Sequence, residues 1–289
     1  MSSTLLFSIV LPAYQAHETI ARALISVEGC GLSQEMYEVI IAPDDGRSYP
    51  ICSPSRMAIR QLEPIAVRIG AGPARNRAIA AARGAFIAFL DADDTWEPGY
   101  LSAALPLVLQ GGIAFSTTSI IEDEKEILRL AGHAGTIDLA DMAESGASFF
   151  PVVRRSQAGP FRSGPSQDVL HSVELVALHG GRCPVMSVAY QHRVNALSTT
   201  MAGDFSIWAA LAYERYIEEI ISGRTRVPHH LRAAAADVFR SKLRLNHGYQ
   251  RLKDTGLTYY EVIASRLSQA SGQLAPSRLR HAGLDDDGR

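Results

Sequence analysis

A short apolar run that ends in a cluster of carboxylates limits what this chain can fold into more than any other feature. Residues 84–97 read GAFIAFLDADDTWE. The six largely apolar residues 85–90 suit a strand buried in a parallel sheet. That strand runs straight into Asp91, Asp93 and Asp94, with Trp96 close behind. Carboxylates crowded this closely repel, so the arrangement calls for a cation or a set of donors among them. The competing reading is a solvated acidic turn that caps a helix starting near Pro98, a common use of Asp.

The rest of the N-terminal half bears on that choice. Strand patterns at residues 7–11 (FSIVL), 37–42 (YEVIIA) and 65–69 (IAVRI) precede the one at 85–90. Pro12 is expected to halt the first, and Pro43 interrupts the end of the second. A helix is predicted over 74–83, with Pro73 in its first turn and Gly84 as its C-cap. Strands alternating with helices predict an α/β fold, a mainly parallel sheet flanked by helices. Ligands of such sheets bind at the carboxyl ends of the strands. Those ends carry Pro12, Ala13 and Tyr14, then Asp44 and Asp45, then a glycine loop with Arg75, then Asp91 and Asp93. Four polar clusters at four strand ends favour a site over a lone acidic turn. Gly70-x-Gly72 fits neither the dinucleotide fingerprint nor a P-loop. A phosphate could still meet the N-terminus of the following helix, near Arg75 and Arg77.

Further along, strands are predicted at 113–121, 149–153 and 185–190, and the charged run 122–126 is expected to be an exposed turn. Asp168 opens a helix to about residue 179, where the helix dipole favours a carboxylate and capping is its plain role. From about residue 203 the pattern turns helical, with Trp208, Ala212, Tyr216 and Ile220 recurring every fourth residue, then Leu231, Ala235 and Phe239, then a helix over 259–267. The expected division is a sheet domain over 1–202 and a helical region over 203–289. The formal charge of -2 hides an asymmetry: residues 222–281 hold eleven Lys/Arg against Asp237, Asp254 and Glu261. A basic region of that kind suggests an anionic partner or a solvated surface. No apolar run nears the ~18 residues that span a bilayer. The start of the chain lacks the basic residues and cleavage site of a leader. Three scattered cysteines point to reduced thiols in a cytoplasm and against a zinc site.

Taken together, FSIVLPAYQAHETIARAL, YEVIIAPDDG, GPARNRAIAAARGAFIAFLDADDTWEPGYL, GPF before SQD, and VAYQHRVNALS resemble the family 2 glycosyltransferases of the GT-A (Rossmann-like) fold. The matches occur in the family's order from residue 7 to residue 198. The resemblance implies that Pro12, Ala13 and Tyr14 border the nucleotide base. It implies that Asp44 and Asp45 hold the base edge or ribose, and that Arg75 reaches the base or diphosphate. Asp91 and Asp93 would form the D-x-D pair, with Asp93 the direct ligand of Mn²⁺ or Mg²⁺ and Asp91 holding ribose. His192 and Arg193 would belong to a late loop over the diphosphate. Asp168 falls where the family keeps its catalytic base, with Gln167 in place of the usual Glu. The C-terminal helices lie outside the resemblance.

These residue types suit glycosyl transfer from a nucleotide diphosphate sugar, with a UDP-sugar expected. A metal and Arg stabilise the leaving diphosphate. One carboxylate base deprotonates the acceptor hydroxyl, permitting in-line displacement with inversion. The expected acceptor is a glycan, a lipid-linked sugar or a small molecule, and no nucleic acid is expected as partner. The basic C-terminal helices are candidates for peripheral contact with the inner face of a membrane or for a homodimer interface. Two alternatives stand beside this reading. A sugar-phosphate nucleotidyltransferase would need a glycine-rich loop after the first strand, which LPAYQAHET lacks. A weak or inactive nucleotide-sugar-binding protein is made conceivable by Gln167 and Pro43. Of nine histidines only His171 and His192 lie near the proposed site, and a satisfied structural role is the commoner use of each. Trp96 is expected to pack the Asp93 turn.

Overall fold

The computed structural model describes residues 5–50, 57–66, 68–132, 134–145, 149–194, 205–252 and 255–270. The predicted boundary at 202/203, the last residues of the VAYQHRVNALS match and the tail beyond 270 lie outside them. The sheet is built outward from β1 (Phe7–Ala13), every residue of which is buried. On one side it pairs in parallel with β2 (Tyr37–Pro43), which pairs in parallel with β3 (Ala58–Gln61); on the other it pairs in parallel with β4 (Phe86–Phe89). That half is parallel, as the alternating pattern predicts, and its strands are continuous apolar runs because helices cover both faces.

The second half is mixed. β9 (Pro151–Arg154) wedges antiparallel between β4 and β6 (Ile113–Glu122). Beyond β6 lies β10 (Arg182–Val194), parallel to it, and the short β5 (Thr95–Trp96) pairs antiparallel with β10. β7 (Lys125–Leu130) folds back on β6, and β8 (Thr136–Asp138) pairs with the start of β10. The charged run at 122–126 is therefore the exposed tip of a hairpin, as expected. Its turn is Asp123 and Glu124, both with positive φ, and the strand it leads into had no strong apolar signal.

The helices are α1 (Ile20–Glu28), α2 (Ala71–Ala81), α3 (Tyr100–Gly111), α4 (Leu139–Ser145), α5 (Gln167–Leu178), α6 (Phe205–Ile221), α7 (Arg232–Leu252) and α8 (Tyr259–Ala270). α1 buries Ile20, Ala23, Leu24 and Val27, the spacing of one helical face. One apolar core joins Phe7, Phe89 and Phe115 of the sheet to Tyr213, Tyr216 and Phe239 of α6 and α7. Trp208 departs from the expected buried stripe and is 58% exposed, while Ala212, Tyr216 and Ile220 are buried.

Three local expectations are corrected. Neither Pro12 nor Pro43 stops its strand, because of where each missing N–H would point. Val10 accepts a backbone bond from Leu90, so Pro12, two residues on, faces the same neighbour just where β4 has ended. Ile41 likewise accepts from Leu62, so Pro43 faces the point past the end of β3. Proline is tolerated where no ladder bond is lost. The third strand is AIRQ at 58–61, not IAVRI at 65–69. The backbone N–H groups of Ile69 and Gly70 are taken instead by the carboxylate of Asp44, at 2.8 Å each. Finally, α2 starts at Ala71 and ends before Ala82, so Gly84 is no helix cap. A Cβ there would come within 2.6 Å of the Phe7 and Ser8 backbone, so Gly84 lets the chain cross β1 closely.

Candidate active site

The strand ends of β1, β2 and β4 meet along one edge. Beside β2 a cleft of about 190 Å³ is lined by Tyr14, Gln15, Asp44, Asp45, Arg47, Ala66 and Arg68. The guanidinium of Arg68 lies 4.1 Å from the centre of the half-exposed Tyr14 ring, a cation–π contact that closes one wall. Asp45 accepts bonds from the Gln15 and Arg47 backbones and from the Tyr49 hydroxyl at 2.7 Å. Burial alone would raise its carboxyl, and these donors more than offset that and hold it below its ordinary range. Tyr14, Asp44 and Asp45 are thus brought together. Pro12 and Ala13 sit buried inside β1 and do not line this cleft.

The start of α2 is no open phosphate site. A Cβ on Gly72 would fall 2.1 Å from the Arg162 carbonyl, so the loop before α5 lies directly over it. Arg77 turns away and binds the carbonyls of Pro43 and Glu63. Arg75 turns inward. It is 2% exposed, and its Nη2 contacts both oxygens of Asp91 at 2.5 and 2.7 Å. The rings of Phe150 and Phe161 lie 5.2 and 5.3 Å from the guanidinium, and its Nε and Nη1 have no hydrogen-bond partner among the described residues. Burial works against its charge, and Asp91 and Asp168 more than offset that. Burial pushes the Asp91 carboxyl up, with Arg75 pulling the other way and Asp94 and Asp168 adding to the rise.

The third acid of the cluster organises the end of β10. Asp94 is buried and accepts bonds from the Tyr190 hydroxyl at 2.8 Å, His192 Nδ1 at 3.1 Å and the Arg193 backbone at 2.8 Å. The same Tyr190 hydroxyl accepts the backbone N–H of Asp91 at 3.0 Å, tying the end of β4 to β10. Burial would lower the His192 imidazole, but Asp94, Asp93 and Asp91 hold it up at about 9. The Arg193 guanidinium is paired with Glu124 in the β6–β7 turn, an acid that it shares with Arg22. Trp96 is buried and stacks on Tyr100 at 4.3 Å, packing the turn as expected.

Asp93 is left over. Among the described residues its carboxylate accepts no side-chain hydrogen bond, and only its backbone carbonyl meets Arg22 Nη2, at 3.5 Å. Burial first, then the charges of Asp94 and Asp91, push its carboxyl up to about 7, with His192 opposing. No group of three His, Cys, Asp or Glu side chains among the described residues is arranged to hold an ion unaided. One free carboxylate beside two neutralised ones fits a cation whose other positions are filled by phosphate oxygens.

Asp168 enters from the other side, half-buried in the first turn of α5, whose N-cap Ser166 makes no side-chain cap bond. Its charge acts on Arg75, Asp91, Tyr213, Tyr216 and Lys242. The loop before it is clamped at both ends. Asn76 exchanges two bonds with the Phe161 backbone, at 2.7 and 2.9 Å, and the Tyr216 hydroxyl binds the Pro165 carbonyl at 2.8 Å. His171 stacks on Phe161 at 3.8 Å and bonds the Ala158 carbonyl through Nε2. Burial, with Arg226 adding, pushes it down to about 3, so it is a neutral packing group. Sequence reasoning missed Arg22, and it gave no role to Tyr190 although that residue lies within the quoted VAYQHRV stretch.

Residues 8–135 match the family model Glycosyl transferase family 2. Over 115 residues the chain is 34% identical to an Escherichia coli UDP-Glc:alpha-D-GlcNAc-diphosphoundecaprenol beta-1,3-glucosyltransferase, WfgD, covering 38% of this chain and 44% of that protein. The chain spans less than half the length of the curated relatives it matches. A structure of TarS residues 1-349 from S. aureus with UDP-GlcNAc superposes with a TM-score of 0.59, at 15% identity over 96% of this chain and 83% of that one. The mannosyltransferase PcManGT from Pyrobaculum calidifontis, solved with GDP-Man and Mn2+, gives a TM-score of 0.52 at 12% identity, over 95% and 82%. At such identities the superpositions speak for the fold, which is GT-A through the helical C-terminal region. Residues 8–135, somewhat under half of the chain, thus carry sequence similar to the family 2 glycosyltransferases, within a chain whose fold is GT-A.

Proposed function

We propose that this protein transfers a sugar from a nucleotide diphosphate sugar, a UDP-sugar in the first instance, to an acceptor hydroxyl with inversion. One observation carries the reading. Among the described residues no side chain donates to the Asp93 carboxylate beside Asp91 and Asp94, and Asp168 acts on the same Arg75–Asp91 pair from α5. The nucleotide base fits the cleft of Tyr14, Asp44 and Asp45, with Arg68 over Tyr14. Asp45 and Asp44 act there chiefly by fixing the walls, since protein donors already occupy their oxygens. A divalent cation, Mn²⁺ or Mg²⁺, held by Asp93 and the donor's phosphates would supply charge neutralisation for the leaving diphosphate. His192, held up at about 9, brings a second positive charge to that side.

Asp168 takes the proton of the attacking hydroxyl, and that hydroxyl oxygen bonds to the anomeric carbon as the bond to the diphosphate breaks. A single base opposite the leaving group gives inversion. UDP as the nucleotide is supported by the named donors of WfgD and the ligand of TarS; the GDP-Man of PcManGT is the alternative to test. A glycan or lipid-linked acceptor is supported by the diphosphoundecaprenol substrate in the WfgD name, and polysaccharide assembly is the setting it implies. No helix among the described residues is long and apolar enough to cross a membrane, and peripheral contact through the basic helices is part of this proposal. The test is calorimetric titration of UDP and GDP with and without Mn²⁺. UDP affinity that rises with Mn²⁺ in the native chain and not in Asp93→Ala is the expected result. An unchanged metal dependence in Asp93→Ala overturns the assignment.

A further inference from the structure

Side chains from other parts of the chain hold the backbone carbonyls of the loop that leads into α5. His171 bonds Ala158, Asn76 bonds Phe161 and the Tyr216 hydroxyl bonds Pro165. The bonds to Gln157 and Gly159 both come from Arg226, far beyond the family sequence match. Arg226 lies between α6 and α7. Its Nη1 donates to the Gln157 carbonyl at 3.1 Å and to the Gly159 carbonyl at 2.8 Å. Its Nε donates to Oε2 of Glu174 at 2.7 Å, and its backbone N–H donates to Oε1 of the same carboxylate at 3.1 Å. Glu174 is 4% exposed and belongs to α5, the helix that Asp168 opens. A planar guanidinium meets a carboxylate and two carbonyls at once in a fixed geometry; an ammonium on a flexible stem does not reproduce it. Arg226 thus fastens the start of the loop to the body of α5. Two features of the site depend on that stretch. Phe161, two residues past Gly159, sets its ring 5.3 Å from the guanidinium of Arg75, the partner of Asp91. The loop then crosses the start of α2, where the Arg162 carbonyl leaves no room for a Cβ on Gly72, and runs on to Asp168.

We propose that Arg226 is a positioning residue for sugar transfer: its guanidinium fixes residues 157–159 against α5, and so sets where Phe161 meets Arg75 and where Asp168 meets the acceptor hydroxyl. The inference rests on Asp168 being the base. It makes the segment between α6 and α7 part of the transfer machinery, while Arg226 itself touches no reacting atom. The two-carbonyl fork carries the role, and the charge opposite Glu174 alone does not suffice for it. Lysine, which keeps the charge and loses the fork, is therefore no substitute.

The experiment compares full-length Arg226→Lys and Arg226→Met with the native chain and with Asp168→Asn. UDP release from UDP-glucose or UDP-N-acetylglucosamine with Mn²⁺ is expressed per site that binds UDP in titration, so that loss of folded protein does not count as loss of turnover. Both Arg226 variants are expected to lose about tenfold or more in kcat, with donor KM within about twofold of native. Hydrogen exchange over residues 155–166 is expected to quicken in Arg226→Lys while exchange in β1 and α7 stays native. A native kcat in Arg226→Lys means that the charge alone suffices and overturns the proposal, as does unchanged exchange over residues 155–166. If Arg226→Met fails to fold, Arg226→Lys decides alone. Should Asp168→Asn release UDP at the native rate, the base assignment fails and the proposal with it. A slow Asp168→Asn beside Arg226 variants of native kcat sinks only the positioning role. If the native chain releases UDP from neither sugar, the donor reading fails, and exchange over residues 155–166 decides whether Arg226 holds the loop.

Discussion

Two acidic turns close two strands that flank β1, and protein donors treat them in opposite ways. After β2, Asp44 gives both oxygens to the Ile69 and Gly70 backbones, and Asp45 gives its oxygens to Gln15, Arg47 and Tyr49. After β4, Asp91 is matched by Arg75 and Asp94 by Tyr190, His192 and Arg193, but Asp93 is left facing their charge. A carboxylate saturated by backbone donors fixes a loop, and its charge is already balanced. One left beside like charges has an energetic reason to take a cation or a proton. The same sequence signal, paired Asp at a strand end, thus yields a wall in one place and a ligand site in the other.

The comparison breaks most sharply at Asp168, the other acid that no side-chain donor saturates among the described residues. Asn keeps its shape while removing the base, so Asp168→Asn should bind UDP and Mn²⁺ as the native chain does. Its sugar transfer should be slower by about a hundredfold or more. Near-native turnover would place Asp168 with the structural acids.

Asp44 should behave the other way. Removing it leaves two backbone N–H groups without their acceptor in a partly buried loop, which costs about 2–4 kcal/mol. Asp44→Ala is therefore expected to lower the denaturant midpoint clearly, and to weaken UDP binding only through the disturbed cleft. A variant as stable as the native chain would mean that the loop before α2 is held by other contacts, and the contrast between the turns would lose half its content.

Both turns were visible in the sequence; their fates were not. Alternation of apolar runs and helical spacing located β1, β2, β4 and the edge that carries Tyr14, Asp45, Arg75 and Asp91, because these strands are buried on both faces. IAVRI misled because residue preference cannot see that a distant carboxylate competes for the Ile69 and Gly70 N–H groups. Pro12 and Pro43 misled because a proline is a breaker only where its missing donor had a partner, and that depends on the lengths of neighbouring strands. The roles of Arg77 and Arg193 turned on contacts more than 14 residues away in sequence, with Pro43 and Glu124.

The smallest effect tests the left-over acid itself. The Asp93 carboxyl is raised from about 3.8 in the unfolded chain to about 7 in the folded one. Between those values the folded state binds the extra proton, so Asp93 supports folding fully at low pH, and that support is lost as pH rises through about 7. Asp93→Asn has nothing to lose there, so its stability relative to the native chain should grow from pH 5 to pH 8. Solvent screening limits the gain to about 1 kcal/mol or less. Mn²⁺ should act in the opposite sense on the native chain, raising its melting temperature more at pH 8 than at pH 6, and should do nothing comparable to the Asn variant. Melting curves at these pH values, each with and without Mn²⁺, make the measurement. A native stability that rises from pH 5 to pH 8 relative to Asp93→Asn would mean that Asp93 finds donors in solution, as Asp44 and Asp45 do, and that the two turns are alike.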